Sequence, residues 1–301
     1  MHEPGTAELP SAEQADAWLA EIGVAPEDRL AVLAARPALA ASPGLLALLA
    51  ERRGQLIAHL GDPRTLPDWH DVGPPHERVG NLVYVWVFLS VLPEVRAFHE
   101  RHGVTRRDGS RILANLAAQL AAYRSLHGVA GLSEQNWLTR HFRATILDFG
   151  RLHVERSYFD ADAPGHGAAG PVRGEPVLSL HIPEGRLTPA ACDESIAAAT
   201  AFYRREFGHE DHRFGVCTSW VLDPQLRSYL AADSNILAFQ RRFELAPDPG
   251  PDRAGTVVEF VFERPADHLD ALPQDTSLQR ALVTHIRAGR PWHFRTGWFR
   301  L

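Results

Sequence analysis

Residues 175–220 read EPVLSLHIPEGRLTPAACDESIAAATAFYRREFGHEDHRFGVCTSW. Val177 to Ile182 is apolar and β-rich, Pro183 to Pro189 is turn chemistry, a helical pattern follows, and Phe214 to Trp220 alternates again. The segment is therefore expected to run strand, turn, amphipathic helix, strand. A shorter version returns in GTVVEFVFERPADHLDALPQDTSLQRALVTHIRAGRPWHFRTGWF, residues 255–299. Here Val257 to Phe262 is the expected strand, a Pro-bearing loop follows, and a helix leads to a strand ending at Trp298. Cys192-Asp193-Glu194-Ser195-Ile196 aligns with Gln274-Asp275-Thr276-Ser277-Leu278. Each opens a helix on an acidic or hydroxyl residue suited to capping free amides. The pattern reads as two repeated β-α-β units, and chance sharing of common cap chemistry is the alternative.

Outward from this stretch, the composition narrows the function classes. A chain of 301 residues with 45% hydrophobic content can bury a full core, and its length suggests about two domains. The net charge of -6, with no basic run, argues against nucleic acid or an anionic membrane as main partner. All 31 basic residues are arginine. Without an ε-amine there is no Schiff base to pyridoxal phosphate, no phosphate-loop lysine and no kinase-type lysine. Cys192 and Cys217 are the only cysteines, which fits a reducing cytoplasm better than a disulfide framework. The first residues lack the basic and apolar regions of a signal peptide. Leu82 to Leu92, the longest apolar run, is shorter than the ~20 residues of a membrane-spanning helix. A cytoplasmic location is the expectation.

Residues 1–135 are expected to form a helical domain and residues 136–301 a mixed α/β domain. Ser11 and Gln14 make a capping-box pattern. Pro26 begins a helix expected to stop near Pro37, Ser42-Pro43 opens another, and His76 to Ser90, apolar nearly all round, is the expected buried central helix. A shorter helix follows Pro93, and Ser110 to His127 is expected as one more. Trp69 and His70 fall in an irregular stretch from Gly61 to Pro75, where an aromatic pinning the loop to the helices is the simplest role. After Ser133 the pattern turns to alternation, with Gly150 between two strands and a Gly/Pro/Ala-rich loop over 160–176. Helices are expected over Asp223 to Ala231 and Ser234 to Phe243.

LDFGRLHVE, LHIPEG, FGVCTSWVLDP, SNILAFQRRF and LPQDTSLQRALVTHIRAG together resemble a bacterial family of two-domain acyltransferase-like proteins. In that family a helical N-terminal domain precedes a GNAT-like C-terminal domain. The resemblance implies acyl transfer from coenzyme A, or from an acyl carrier protein, to a small-molecule amine, with no metal. It also implies a strand-loop-helix that holds the cofactor pyrophosphate, with the signature Arg/Gln-x-x-Gly-x-Gly/Ala and backbone amides aimed at phosphate. In the second unit Gln274 keeps the first position, while Ser277 and Gln279 replace the small residues. In the first, Ala197 fits the last position and Ser195 replaces glycine. Gln274, Thr276, Ser277, Gln279 and Arg280 are the expected cofactor site, since a helix start with hydroxyls and a guanidinium can hold phosphate.

Candidate chemistry clusters on the first unit. His181 ends a strand before a Pro-Glu-Gly turn, where an imidazole can serve as general base, and Glu184 is the second candidate. Cys217 and Ser219 should share a face of the next strand, so a Cys-His or Ser-His nucleophile arrangement with His181 stays open. So does a non-catalytic GNAT-like scaffold whose cleft is filled by side chains. His209, His212 and the cysteines supply zinc-compatible ligand types at a spacing that matches no standard finger.

Overall fold

The computed structural model describes residues 9–73, 79–160, 170–247, 250–262 and 272–301. The expected start of the central helix at His76 and most of the expected loop over 160–176 lie outside these residues. The chain divides into two compact units, Met1–Asp148 and Phe149–Leu301.

The first unit is helical: α1 (Ala12–Glu21), α2 (Pro26–Ala40), α3 (Pro43–Ala58), α4 (Leu82–Arg101), α5 (Arg106–Leu113), α6 (Asn115–His127) and α7 (Gln135–Phe142), followed by the short strand β1 (Ile146–Asp148). Ser11 and Gln14 form the expected capping box on α1. The α2 helix runs past Pro37, and α4 past Pro93. A proline inside a helix removes one backbone hydrogen bond at a cost of about 3 kcal/mol. Burial of Leu39 beyond the first proline and of Val95 beyond the second offsets that local loss. The expected single helix over Ser110 to His127 is two, which meet at Ala114.

The length and hydropathy of α4 would suit a membrane span, yet its side chains from Leu82 to Leu92 are buried in the helical core. Trp69 is buried and stacks on Tyr84 and Phe88 with centroids 5.2 and 5.7 Å apart. Its indole Nε1 donates to Gln55 and its backbone N–H to Asn136. The irregular loop is pinned by its aromatic residue, as its sequence suggests.

The second unit contains β2 (His153–Tyr158), β3 (Pro176–His181), α8 (Pro189–Glu206), β4 (Phe214–Ser219), α9 (Asn235–Gln240), β5 (Glu244–Leu245), α10 (Ala254–Phe262), α11 (Ser277–Arg287) and β6 (Arg295–Arg300). Within it the strands lie in the order β2-β3-β4-β6-β5. Neighbours are antiparallel except β3 and β4, the parallel pair that α8 connects. The expected helix over Asp223 to Ala231 is a 3-10 turn, Pro224–Ser228.

Val257 to Phe262 is helical, which removes the first strand of the expected second repeat. The stretch is β-rich in composition, but Val257, Val258 and Phe262 are buried while Glu259 and Phe260 face out, a helical spacing. The carboxylate of Asp252 accepts from the backbone N–H of Ala254 and so supplies the turn that starts the helix. The buried side chains pack with Leu282 and Trp292 in a separate core. Tertiary packing overrides local propensity here, and among the described residues the α/β domain contains one β-α-β unit, residues 176–219, rather than two.

Pleating fixes which side chains share a face. The registers pair Glu155 with Ser179, His153 with His181, Ser179 with Val216, and Thr218 with Thr296, so these residues occupy one face. Leu178 pairs with Gly215, so Cys217, two residues along, lies on the opposite face. That second face carries α8, whose Tyr203 donates from its hydroxyl to the carbonyl of Val154. Arg156 lies on it too, stacked 3.5 Å from the Phe207 ring centroid and paired with Glu210.

Candidate active site

In open α/β sheets ligands gather beyond the carboxyl ends of parallel strands, where the following helix presents its N-terminus. The β3-β4 pair and α8 form such a place in this unit. Among the described residues the ladder joins Leu178 to Gly215 and Ser179 to Val216. His181, Thr218 and Ser219 lie past these last pairs.

His181 ends β3 with its side chain 25% exposed, and its Nε2 meets Oε2 of Glu155 at 2.9 Å. Glu155, on β2, is 7% exposed. A carboxylate accepting from Nε2–H holds the ring in the tautomer whose Nδ1 carries the lone pair, the arrangement a positioned base needs. Glu155 escaped the sequence reading. It becomes visible only once the β2-β3 register is known, because 26 residues separate it from His181.

The other expected catalytic residues lie elsewhere. Glu184 is exposed in the turn after β3 and makes no hydrogen bond or ion pair with the described residues. Cys217 is 1% exposed, and burial pushes its thiol up to about 12, so it stays protonated at neutral pH. Ser219 uses its Oγ to accept from the N–H of Val221 at 3.2 Å, capping the turn Trp220–Leu222. Cys217 and Ser219 share a face, as expected, but it is the face opposite His181. The nucleophile-and-base arrangement is therefore corrected by the register: the sheet itself stands between the partners.

The loop from Ile182 to Thr188 joins β3 to α8. Arg151 ties it down, Nη2 donating to the carbonyl of Gly185 at 2.9 Å and Nε to that of Arg186 at 3.0 Å. Thr188 precedes the helix in extended conformation without a side-chain cap, and Pro189 takes the first turn. Among the described residues Thr188 thus gives the first amides no side-chain acceptor. Gly185 sits at φ +121°, and the space a Cβ would take there is open. Arg186 is exposed. Arg186-Leu187-Thr188-Pro189-Ala190-Ala191 keeps the arginine and the final alanine of the pyrophosphate signature, with proline in place of glycine. This was the signal available in the sequence, obscured by that one replacement.

The expected starts at Cys192-Ser195 and Gln274-Arg280 differ from this loop. Cys192 to Ser195 lies inside α8, and Ser195 is buried with its hydroxyl turned inward. Its Oγ donates to the Ala191 carbonyl at 2.8 Å and accepts from the N–H groups of Arg151 and Leu152. At α11, Thr276 and Gln279 form a reciprocal capping box. Arg280 Nη1 donates to the carbonyls of Gln274 at 2.8 Å and Asp275 at 3.0 Å, and Ser277 is the first residue of the helix. The segment before α11 begins with α10 rather than a strand. Gln274, Thr276, Ser277, Gln279 and Arg280 therefore form a self-capped helix start, in which the N–H groups of Thr276 and Gln279 and the Arg280 guanidinium already bond within the segment.

Comparison with known families and structures gives this geometry a context. Residues 13–144 match the model of the N-acyltransferase N-terminal domain, and residues 146–299 that of the GNAT-like C-terminal domain. The chain belongs to this family of two-domain GNAT-like acyltransferases. Among solved structures it is similar to an acyltransferase in complex with decanoyl-CoA and teicoplanin, at 35% identity and a TM-score of 0.85, over 98% of this chain and 90% of that one. An acyltransferase in complex with decanoyl-CoA aligns at 32% identity and a TM-score of 0.86, over 98% and 89% of the two chains. A mutant acyltransferase in complex with octanoyl-CoA aligns at 34% and 0.85, over 98% and 90%. No curated protein matches the sequence. This acyltransferase is an enzyme of the GNAT-like N-acyltransferase class, which removes the non-catalytic scaffold from the alternatives.

Proposed function

We propose that the protein transfers an acyl group from coenzyme A directly to the amine of a small-molecule acceptor, with His181 as general base and Glu155 as the residue that orients it. The single observation that carries this reading is the His181–Glu155 pair at the end of the parallel strand β3, next to the uncapped start of α8. On this reading the amides after Thr188 and the guanidinium of Arg186 hold the pyrophosphate, since a helix N-terminus carries roughly half a positive charge.

The chemistry requires His181 to take one proton and return it. Nδ1 of His181 takes a proton from the amine as its nitrogen attacks the thioester carbonyl. The C–N bond forms, the C–S bond breaks, and the protonated imidazole gives the proton to the departing thiolate, so that coenzyme A leaves as the thiol. No acyl-enzyme is needed, in keeping with a protonated, buried Cys217 on the other face. Octanoyl and decanoyl thioesters in the related structures make medium-length acyl chains the first donors to try.

Calorimetric titration of acetyl-, octanoyl- and decanoyl-CoA, followed by measurement of free thiol released when primary amines are added, tests the proposal. Saturable binding and amine-dependent thiol release are expected. Hydrolysis of the thioester at a rate indifferent to added amine would overturn it.

A further inference from the structure

The face of the sheet that carries His181 holds a row of side chains just past the last paired residues of β3 and β4. His153 stands opposite His181 on β2, and Thr218 opposite Thr296 on β6. Ser179 and Val216 close the β3-β4 ladder, and two residues further along their strands His181 and Thr218 lie on this same face. Beyond the ladder the face thus carries two imidazoles on β2 and β3 and two hydroxyls on β4 and β6. The hydroxyls of Thr218 and Thr296 lie 2.9 Å apart, and Thr218 is exposed.

A cross-strand threonine pair by itself stabilises a sheet by a few tenths of a kcal/mol. The position of this one gives it a second use. When one hydroxyl donates to the other, the pair retains one O–H to donate outward and lone pairs to accept with. Both hydroxyls are uncharged and can each donate and accept, so they match the donor-and-acceptor pattern of a neutral hydroxyl without requiring a charge on the ligand. They also share the sheet face of the proposed base, the face an acceptor must approach for its nitrogen to reach His181.

We infer that Thr218 and Thr296 are acceptor-positioning residues that recognise an uncharged hydrogen-bonding group, such as a hydroxyl, adjoining the reacting amine. The inference rests on the amine-acceptor reading above and extends it to a preference among amines. Holding a reactant at the correct angle raises the reaction rate by removing orientational freedom before the barrier. The threonines need not touch the thioester to act in this way.

The test compares 2-aminoethanol with n-propylamine, in which a methyl replaces the hydroxyl, using octanoyl-CoA as donor and following thiol release. The wild-type enzyme is expected to favour 2-aminoethanol in kcat/KM. In the Thr218→Val, Thr296→Val double variant that preference should fall roughly 3- to 10-fold, the scale of one hydrogen bond. The serine double variant should retain it, and octanoyl-CoA affinity should be the same in all three proteins. A purely structural role would lower both amines equally and would not be rescued by serine. An unchanged ratio in the valine variant, or equal loss on both amines, would overturn this inference while leaving amine acylation intact. Octanoyl-CoA binding without transfer to either amine would overturn it together with the reading on which it rests.

Discussion

The imidazole of His181 and the carboxylate of Glu155 meet diagonally across the antiparallel β2-β3 pair, with Nε2 and Oε2 2.9 Å apart. On the proposed reading this contact fixes the tautomer of the ring, and the two side chains act together. His181→Ala should lower turnover roughly 100-fold or more, the usual scale for a positioned base. Glu155→Gln should lower it less, because an amide still hydrogen-bonds the ring but no longer selects the tautomer. Both variants should bind octanoyl-CoA like the wild type, and calorimetry beside steady-state kinetics checks the separation. Loss of thioester binding in His181→Ala would assign that side chain to donor recognition instead.

Cys217 makes the contrasting case. Burial and a thiol pushed up to about 12 leave little thiolate to react at neutral pH. Cys217→Ser should change turnover by less than about 3-fold, within the range of a tolerated polar swap. Iodoacetamide should label the folded enzyme slowly and the denatured enzyme quickly. Intact-mass detection of an acyl adduct on Cys217 during turnover would reverse this assignment.

Two helix starts compete for phosphate, and their chemistry differs. The α11 start is closed by its own capping box and by the Arg280 contacts, while α8 opens without a side-chain cap beside Arg186. Arg186→Ala should weaken acyl-CoA binding about 5- to 10-fold at low salt, and less as salt screens the charge. Arg280→Ala should leave it within about 2-fold, since its guanidinium serves the protein backbone. The reverse order in calorimetry would return the site to Gln274-Arg280.

The helical unit carries a pH dependence of its own. His99 is buried beside Gly109, neither ring nitrogen is hydrogen-bonded among the described residues, and burial lowers its pKa to about 4 from an ordinary value near 6.5. Between these values the unfolded chain binds a proton that the folded chain resists, so stability rises with pH across that window. Its loss should begin as pH falls below about 6.5 and be complete near 4. Thermal melts of the wild type and His99→Leu from pH 7.5 to 4 measure this, and the variant should show the shallower slope. Parallel pH profiles for the two proteins would clear His99 of the effect.

Elements with strong patterning or explicit caps were legible in the sequence: α1 from its capping box, β3 from its apolar β-rich run, β4 from alternation, Trp69 as the pin of its loop. What escaped was set by partners distant in the chain. Val257 to Phe262 has strand-like composition, yet its neighbours in the fold bury one helical face. The continuations of α2 and α4 through Pro37 and Pro93 depend on what lies buried beyond each proline. Within the site, His181 could be found from its place at a strand end. Glu155 required the register, and the separation of His181 from Cys217 required the parallel pairing. The loop at Arg186 was hidden by a proline where the signature has glycine.

The sidedness of the sheet bears on the chemical safety of the enzyme. A protein that handles activated thioesters exposes its own nucleophiles to stray acylation. Cys192 and Cys217 are both buried, and Cys217 lies behind the sheet from His181. The sequence contains no lysine, so no side-chain amine competes with the acceptor. With its sulfur buried and no lysine in its sequence, this acyltransferase offers a thioester neither an exposed thiol nor a side-chain amine to modify.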